Sequence, residues 1–249
     1  MIPGKHWLIM AVTSVLLVCV IPGEAIIVRH DTPEADHQAL AARYPATCHF
    51  ADGSGTLIAD TWVLTAAHVA QGLQRSIERG ETVQVECSNA SFIADSIVIH
   101  PAFRPVVHDI ALVRLSTPVQ HVTPVPLFDD DETGALITIV GRGDHGTGLT
   151  GPVRQDRIDR AATNLVDGVD AHWLWFDFDN PFASDVTPLE GVSGPGDSGG
   201  PAYVDVNGTT HLIGVSSHQR SESRPGRYGA VEYYARVSQY VTWIRNVVH

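Results

Sequence analysis

Short stretches of β-branched and alternating apolar residues recur along this chain, each followed by turn-forming residues within a few positions. One series covers residues 56–58, 62–65, 82–86, 92–99 and 110–115; a second covers 137–140, 173–178, 202–205, 211–216 and 233–237. Asp52-Gly53, Asn207-Gly208 and Pro225-Gly226 punctuate them with residues that favour tight turns. That spacing predicts antiparallel sheet, in barrels or a sandwich. Between the series, Pro118, Pro124 and Pro126 make 117–127 an extended strap rather than a strand or helix. At the end, Val237, Tyr240, Val241, Ile244, Val247 and Val248 repeat at helical spacing behind Ser238, a favourable N-cap, so the chain should finish in an amphipathic helix.

The first residues read as a leader. Lys5 is followed by an uncharged apolar run from 7 to 20, too short to span a bilayer, and Gly23 with Ala25 supplies small residues for cleavage after Ala25. The expectation is a signal peptide over 1–25, a mature chain over 26–249 with no membrane attachment, and an extracellular or periplasmic location. A chain of that length can bury a real core in one large all-β unit or in two small ones packed together.

Charge narrows the partners. The chain carries a net charge of −12, and Lys5 is its one lysine. With no clustered basic face, a polyphosphate would be repelled, and nucleic-acid binding is excluded. Cys48 and Cys87 are the cysteines left once the leader is gone, and an even pair in an oxidising compartment reads as a disulfide. The run Asp129, Asp130, Asp131, Glu132 lacks the alternating ligands and central glycine of a calcium loop and reads as a solvated loop. Thirteen histidines show no metal-ligand spacing, so no metal or cofactor is expected.

Three segments carry chemistry. A serine hydroxyl becomes a useful nucleophile when a base takes its proton, and an imidazole fixed by an acid suits that task. Gly196-Asp197-Ser198-Gly199-Gly200-Pro201 sets one serine between glycines, which permits a tight turn that exposes the hydroxyl and aims backbone N–H groups inward. Trp62-Val63-Leu64-Thr65-Ala66-Ala67-His68 runs an apolar strand into a histidine, and His108-Asp109-Ile110-Ala111-Leu112 puts one acid at the head of another strand.

Together, and in the order His, Asp, Ser, these segments resemble the chymotrypsin (trypsin-like) serine protease family from residue 27 to the C-terminal helix. The resemblance implies an all-β fold of two packed six-stranded antiparallel barrels with a C-terminal helix, the first barrel over about 26–117 and the second over about 118–249. It also implies a serine endopeptidase, acting on polypeptides through an acyl-enzyme, that meets protein inhibitors and works as a monomer. His68, Asp109 and Ser198 would form the triad, the N–H groups of Gly196 and Ser198 the oxyanion hole, and Ser216 the support of the triad acid. A catalytically silent binding protein is the first alternative, but the intact triad counts against it. The second is a serine esterase, and the nucleophile lacks the Gly-x-Ser-x-Gly elbow of the common esterase fold.

In this family a freed N-terminal isoleucine pairs with the acid before the nucleophile, here Asp197. Ile27-Val28 stands at the matching position, Arg29-His30 replaces the usual glycines, and no basic residue lies between 20 and 28. Leader cleavage, exposing Ile26, would then suffice for activation. Two family disulfides are missing: Val69 follows His68, and Gly194 stands beside the substrate pocket. The resemblance puts Val192, Ser193, Ser216, Ser217, His218 and Glu232 around that pocket. Val192 occupies the floor position that is Asp in trypsin, whereas Glu232 replaces a glycine ahead of the wall residue Tyr234 and could favour basic side chains.

Overall fold

The computed structural model describes residues 26–221 and 224–248, and the expected leader over 1–25 lies outside them. In chain order the first elements are β1 (Ile27–Val28), α1 (Glu34–Ala41), β2 (Thr47–Phe50), β3 (Gly53–Ala59), β4 (Trp62–Thr65), α2 (Ala67–Glu78), β5 (Gln84–Cys87), β6 (Ala90–Ile99) and β7 (Ala111–Leu115). Next come β8 (Leu136–Gly141), β9 (Asp144–Thr147), β10 (Gly151–Gln155), β11 (Arg160–Leu165), β12 (Gly168–Val169) and β13 (Trp173–Asp177). The last are β14 (Gly191–Val192), β15 (Pro201–Val206), β16 (Thr209–Arg220), β17 (Val231–Arg236) and α3 (Val241–Val248).

The first unit is the closed six-stranded barrel the sequence predicts, in the order β2-β3-β4-β7-β6-β5. It closes where β5 pairs with β2, and Cys48 stands opposite Cys87 on that seam, joined by a disulfide. Leu57, Val63, Leu64, Leu112 and Val113 on its strands are fully buried in one apolar cluster. Burying each such side chain contributes roughly 1.5–3 kcal/mol.

The second unit differs from the expected six-stranded barrel. It is a seven-stranded curled sheet, β11-β8-β15-β16-β17-β13-β12. Asn164 on β11 donates its amide to the Asp177 carbonyl on β13 at 2.7 Å, so a side chain bridges the curl where backbone pairing does not. A smaller sheet, β10-β9-β1-β14, lies beside it. β1 therefore sits on the second unit, although its place in the chain assigns it to the first.

The proline strap is extended as expected and stitches the two units together. Val125 N–H donates to the Leu57 carbonyl and Phe128 N–H to that of Leu212, both at 2.9 Å. One apolar cluster runs from the barrel through Tyr203, Leu212 and Val215 into Tyr240 and Ile244 near the C-terminus.

The terminal helix α3 is present, but Ser238 does not cap it. That residue lies in a preceding 3-10 turn, and its hydroxyl donates to Glu132. Glu132 is fully buried and also receives Arg236, so the end of the acidic run is a structural anchor rather than solvated loop. Two helices had no clear sequence signal. α2 hides Val69, Ala70 and Leu73, and α1 is fastened by the buried Arg160, which binds Glu34. Among the described residues, no helix is long and apolar enough to cross a membrane.

Candidate active site

β4 runs through Ala66 straight into α2, which places His68 at the helix's second position with its side chain partly exposed. Asp109 heads β7, just after His108, a non-glycine residue at φ 52°, and is buried. The two meet with good geometry. Asp109 Oδ1 accepts the His68 backbone N–H at 2.8 Å, and Oδ2 accepts Nδ1 at 2.7 Å. A carboxylate can only accept, so Nδ1 carries the proton and Nε2 is left as a base. Burial raises the affinity of Asp109 for a proton, but hydrogen bonds and charge from His68, with a bond from Ser217, more than offset it and hold the carboxyl below its ordinary range.

The support of Asp109 is not the residue expected. Ser217 Oγ, not Ser216 Oγ, donates to Asp109 Oδ2, at 2.6 Å. The cause is a β-bulge: Ser216 pairs with Tyr234 and His218 with Tyr233, leaving Ser217 as the extra residue of β16. A bulge re-aims one side chain, and here it turns Ser217 toward the acid. Ser216 faces the pocket beside Ser193, with hydroxyls 3.4 Å apart.

Ser198 occupies a turn bolted to both units. Its carbonyl accepts Ser54 N–H from β3 at 2.8 Å, and Gly199 N–H reaches the Ser216 carbonyl at 2.8 Å. Gly196 and Gly199 both need positive φ, 96° and 79°, and a Cβ on Gly199 would lie 2.2 Å from Thr65 Oγ1. The N–H groups of Gly196 and Ser198 donate to no protein acceptor among the described residues, as an anion-binding hole requires. Ser198 Oγ makes no hydrogen bond to His68 here; such bonds are often long before substrate binds.

Behind this turn lies Asp197, almost completely buried. It accepts Gly143 N–H at 2.6 Å and Gly194 N–H at 2.8 Å, with further backbone bonds from Ile26 and Arg142. Burial dominates and pushes its carboxyl up to about 6. Ile26 is buried with φ 57°, and Ile27 pairs with Val192 and Gly146. Ile26, not Ile27, is thus the residue whose nitrogen meets Asp197.

A cavity of about 180 Å³ opens beside Ser198, lined by Ser193, Ser216, Ser217, His218, Gln219 and Glu232 among others. Val192, expected at its floor, is packed in the apolar cluster with Ile27 and Phe176 and does not line it. Glu232 is buried and accepts Gln219 Nε2 at 2.6 Å; burial pushes its carboxyl up to about 8. Gln219 also accepts Gly226 N–H at 2.6 Å, a part that no sequence pattern had marked. A larger cavity, about 380 Å³, begins at Gly196 and includes His49, Phe50, Glu86 and Arg142. No grouping of three or more potential metal ligands occurs among the described residues.

Two comparisons with known proteins agree. The family model described as Trypsin matches residues 32–244. A tryptase from Mus musculus is 32% identical over 222 residues, covering 80% of this chain and 79% of its own.

Proposed function

This chain belongs to the trypsin family and is a serine-type endopeptidase, and on that premise we propose that Ser198, His68 and Asp109 are its catalytic triad. The observation that carries this reading is the double grip of His68 on Asp109, which fixes the imidazole with Nε2 free for the Ser198 proton. Ser198 Oγ attacks the scissile carbonyl while His68 takes its proton, and the oxyanion settles on the N–H groups of Gly196 and Ser198. His68 then protonates the leaving amine, and water releases the acyl group by the same steps. Ser217 helps hold Asp109 throughout. Hydrolysis of a peptide panel by the wild type, set against Ser198→Ala, tests this assignment.

The site reads as built for a basic P1 side chain. A Lys or Arg entering the 180 Å³ cavity would meet Glu232, and its charge would restore the ionised carboxylate that burial disfavours. The larger cavity beyond Gly196 would take residues after the scissile bond.

Activation needs one cut. Removal of a leader after Ala25 would turn the Ile26 amide into an ammonium beside Asp197, with no further processing. The leader makes the enzyme a secreted one, acting as a monomer on polypeptides and open to protein inhibitors that fill the same cleft.

A further inference from the structure

A second histidine reaches the triad acid. His218 Nδ1 lies 3.3 Å from Ser217 Oγ, which itself donates to Asp109 Oδ2 at 2.6 Å. Since Ser217 spends its one proton on a carboxylate that can only accept, its oxygen can only accept from His218, and Nδ1 of His218 must carry hydrogen. The result is one directed chain: His218 N–H to Ser217 O–H to Asp109 Oδ2, the oxygen that also accepts His68 Nδ1. Bonds in such a chain polarise one another, so a donor to Ser217 makes Ser217 a better donor to Asp109.

The ring is held for this task. It stacks on Tyr233 with centroids 4.8 Å apart and planes 5° from parallel, and Trp173 closes on it edgewise at 5.0 Å. Arg220 also lies over the Tyr233 ring, with its guanidinium carbon 5.0 Å from the centroid. Burial first, then the charge of Arg220, lowers the affinity of His218 for a proton, although Asp109 acts in the opposite sense. The bulge at Ser217 brings these consecutive side chains within reach of one another.

We propose that His218 is a positioning residue of this active site, whose ring N–H fixes the Ser217 hydroxyl on Asp109 and through it the orientation of His68. The proposal rests on the triad reading above. It separates the N–H from the ring, and two substitutions divide them: His218→Phe keeps a ring on Tyr233 and deletes the donor, whereas His218→Asn puts an amide N–H near the Nδ1 position and deletes the ring.

The experiment measures kcat and KM on a peptide substrate for the wild type, both variants, Ser217→Ala and the Ser217→Ala/His218→Phe pair. His218→Phe should lower kcat about fivefold, the weight of one neutral hydrogen bond, with KM little changed. His218→Asn should keep most of kcat and raise KM, because the cleft wall is lost. In the Ser217→Ala background, His218→Phe should lower kcat no further, since the chain is already cut. An unchanged kcat in His218→Phe, an equal loss in His218→Asn, or additive losses in the pair would each overturn the proposal while the wild type still turns over. A wild type no more active than Ser198→Ala would instead sink the triad reading, and this proposal with it.

Discussion

His68 holds both oxygens of Asp109, through its backbone N–H on one and its ring Nδ1 on the other. Asp109→Asn replaces the oxygen facing Nδ1 or the one facing the amide with an N–H group. The first orientation breaks the bonds from both Nδ1 and Ser217 and favours the wrong tautomer, and the second breaks the bond from the His68 amide. The expected outcome is a loss of about 10⁴ in kcat, as in other enzymes with such a triad, with the fold retained. Steady-state kinetics beside a circular dichroism spectrum checks it.

Activation by leader removal predicts a sharp dependence on one residue. Protein beginning at Ile26 should be active, and protein extended by Ala25 should not be, because only a free ammonium can neutralise the buried Asp197. Each 1.4 kcal/mol of lost pairing lowers the active fraction about tenfold. Equal activity of the two forms would contradict the pairing. N-terminal sequencing of the secreted protein supplies the native end.

Glu232 predicts both specificity and pH dependence. Its folded-state pKa of about 8 exceeds the ordinary 4.5, so the folded protein binds this proton more tightly than the unfolded chain does. Its contribution to stability therefore declines as pH rises from about 4.5 and is fully lost above about 8. Glu232→Gln removes that decline, and its melting temperature should overtake that of the wild type as pH is raised across this window. The same variant should lose roughly 10- to 100-fold in kcat/KM for Lys and Arg at P1, the range of a charge-assisted hydrogen bond. A P1 library cut best at aromatic or aliphatic residues by the wild type would refute the basic preference.

The Cys48–Cys87 bridge closes the first barrel with a sequence separation of 39. In the chain-entropy treatment a loop of that size is worth about 4 kcal/mol. Replacing both cysteines with alanine should lower the unfolding free energy by about that amount, as read in a urea titration, while the variant still folds at low temperature.

The class of fold was legible in the sequence, and the candidate site residues stood out in it by their local chemistry, whereas strand registers and side-chain directions did not. His68, Asp109, Ser198 and Gly196 lie in short motifs whose glycines and small residues are required by the turns they make, and local chemistry of that kind survives any context. Ser216 and Ser217 show the limit: alternation in a strand is legible only while the register holds, and the bulge in β16 shifts it by one residue without any composition signal. Val192 failed for a related reason. A count from the nucleophile fixes a place along the backbone, but its side chain turns into the apolar cluster with Ile27. The strands β9, β10 and β11 escaped notice because Asp144–Thr147 and Arg160–Leu165 mix polar residues with alanine and glycine and show no apolar alternation, although β9 and β10 pair with each other as a local hairpin and β11 pairs with β8.

The central claim is that Ser198 is an activated nucleophile. The intact mass of the secreted protein, with and without a serine-reactive phosphonofluoridate, tests it directly beside Ser198→Ala. One adduct on the wild type and none on the variant is the predicted result. A folded wild type whose N-terminus is Ile26 and which takes up no adduct would contradict the claim.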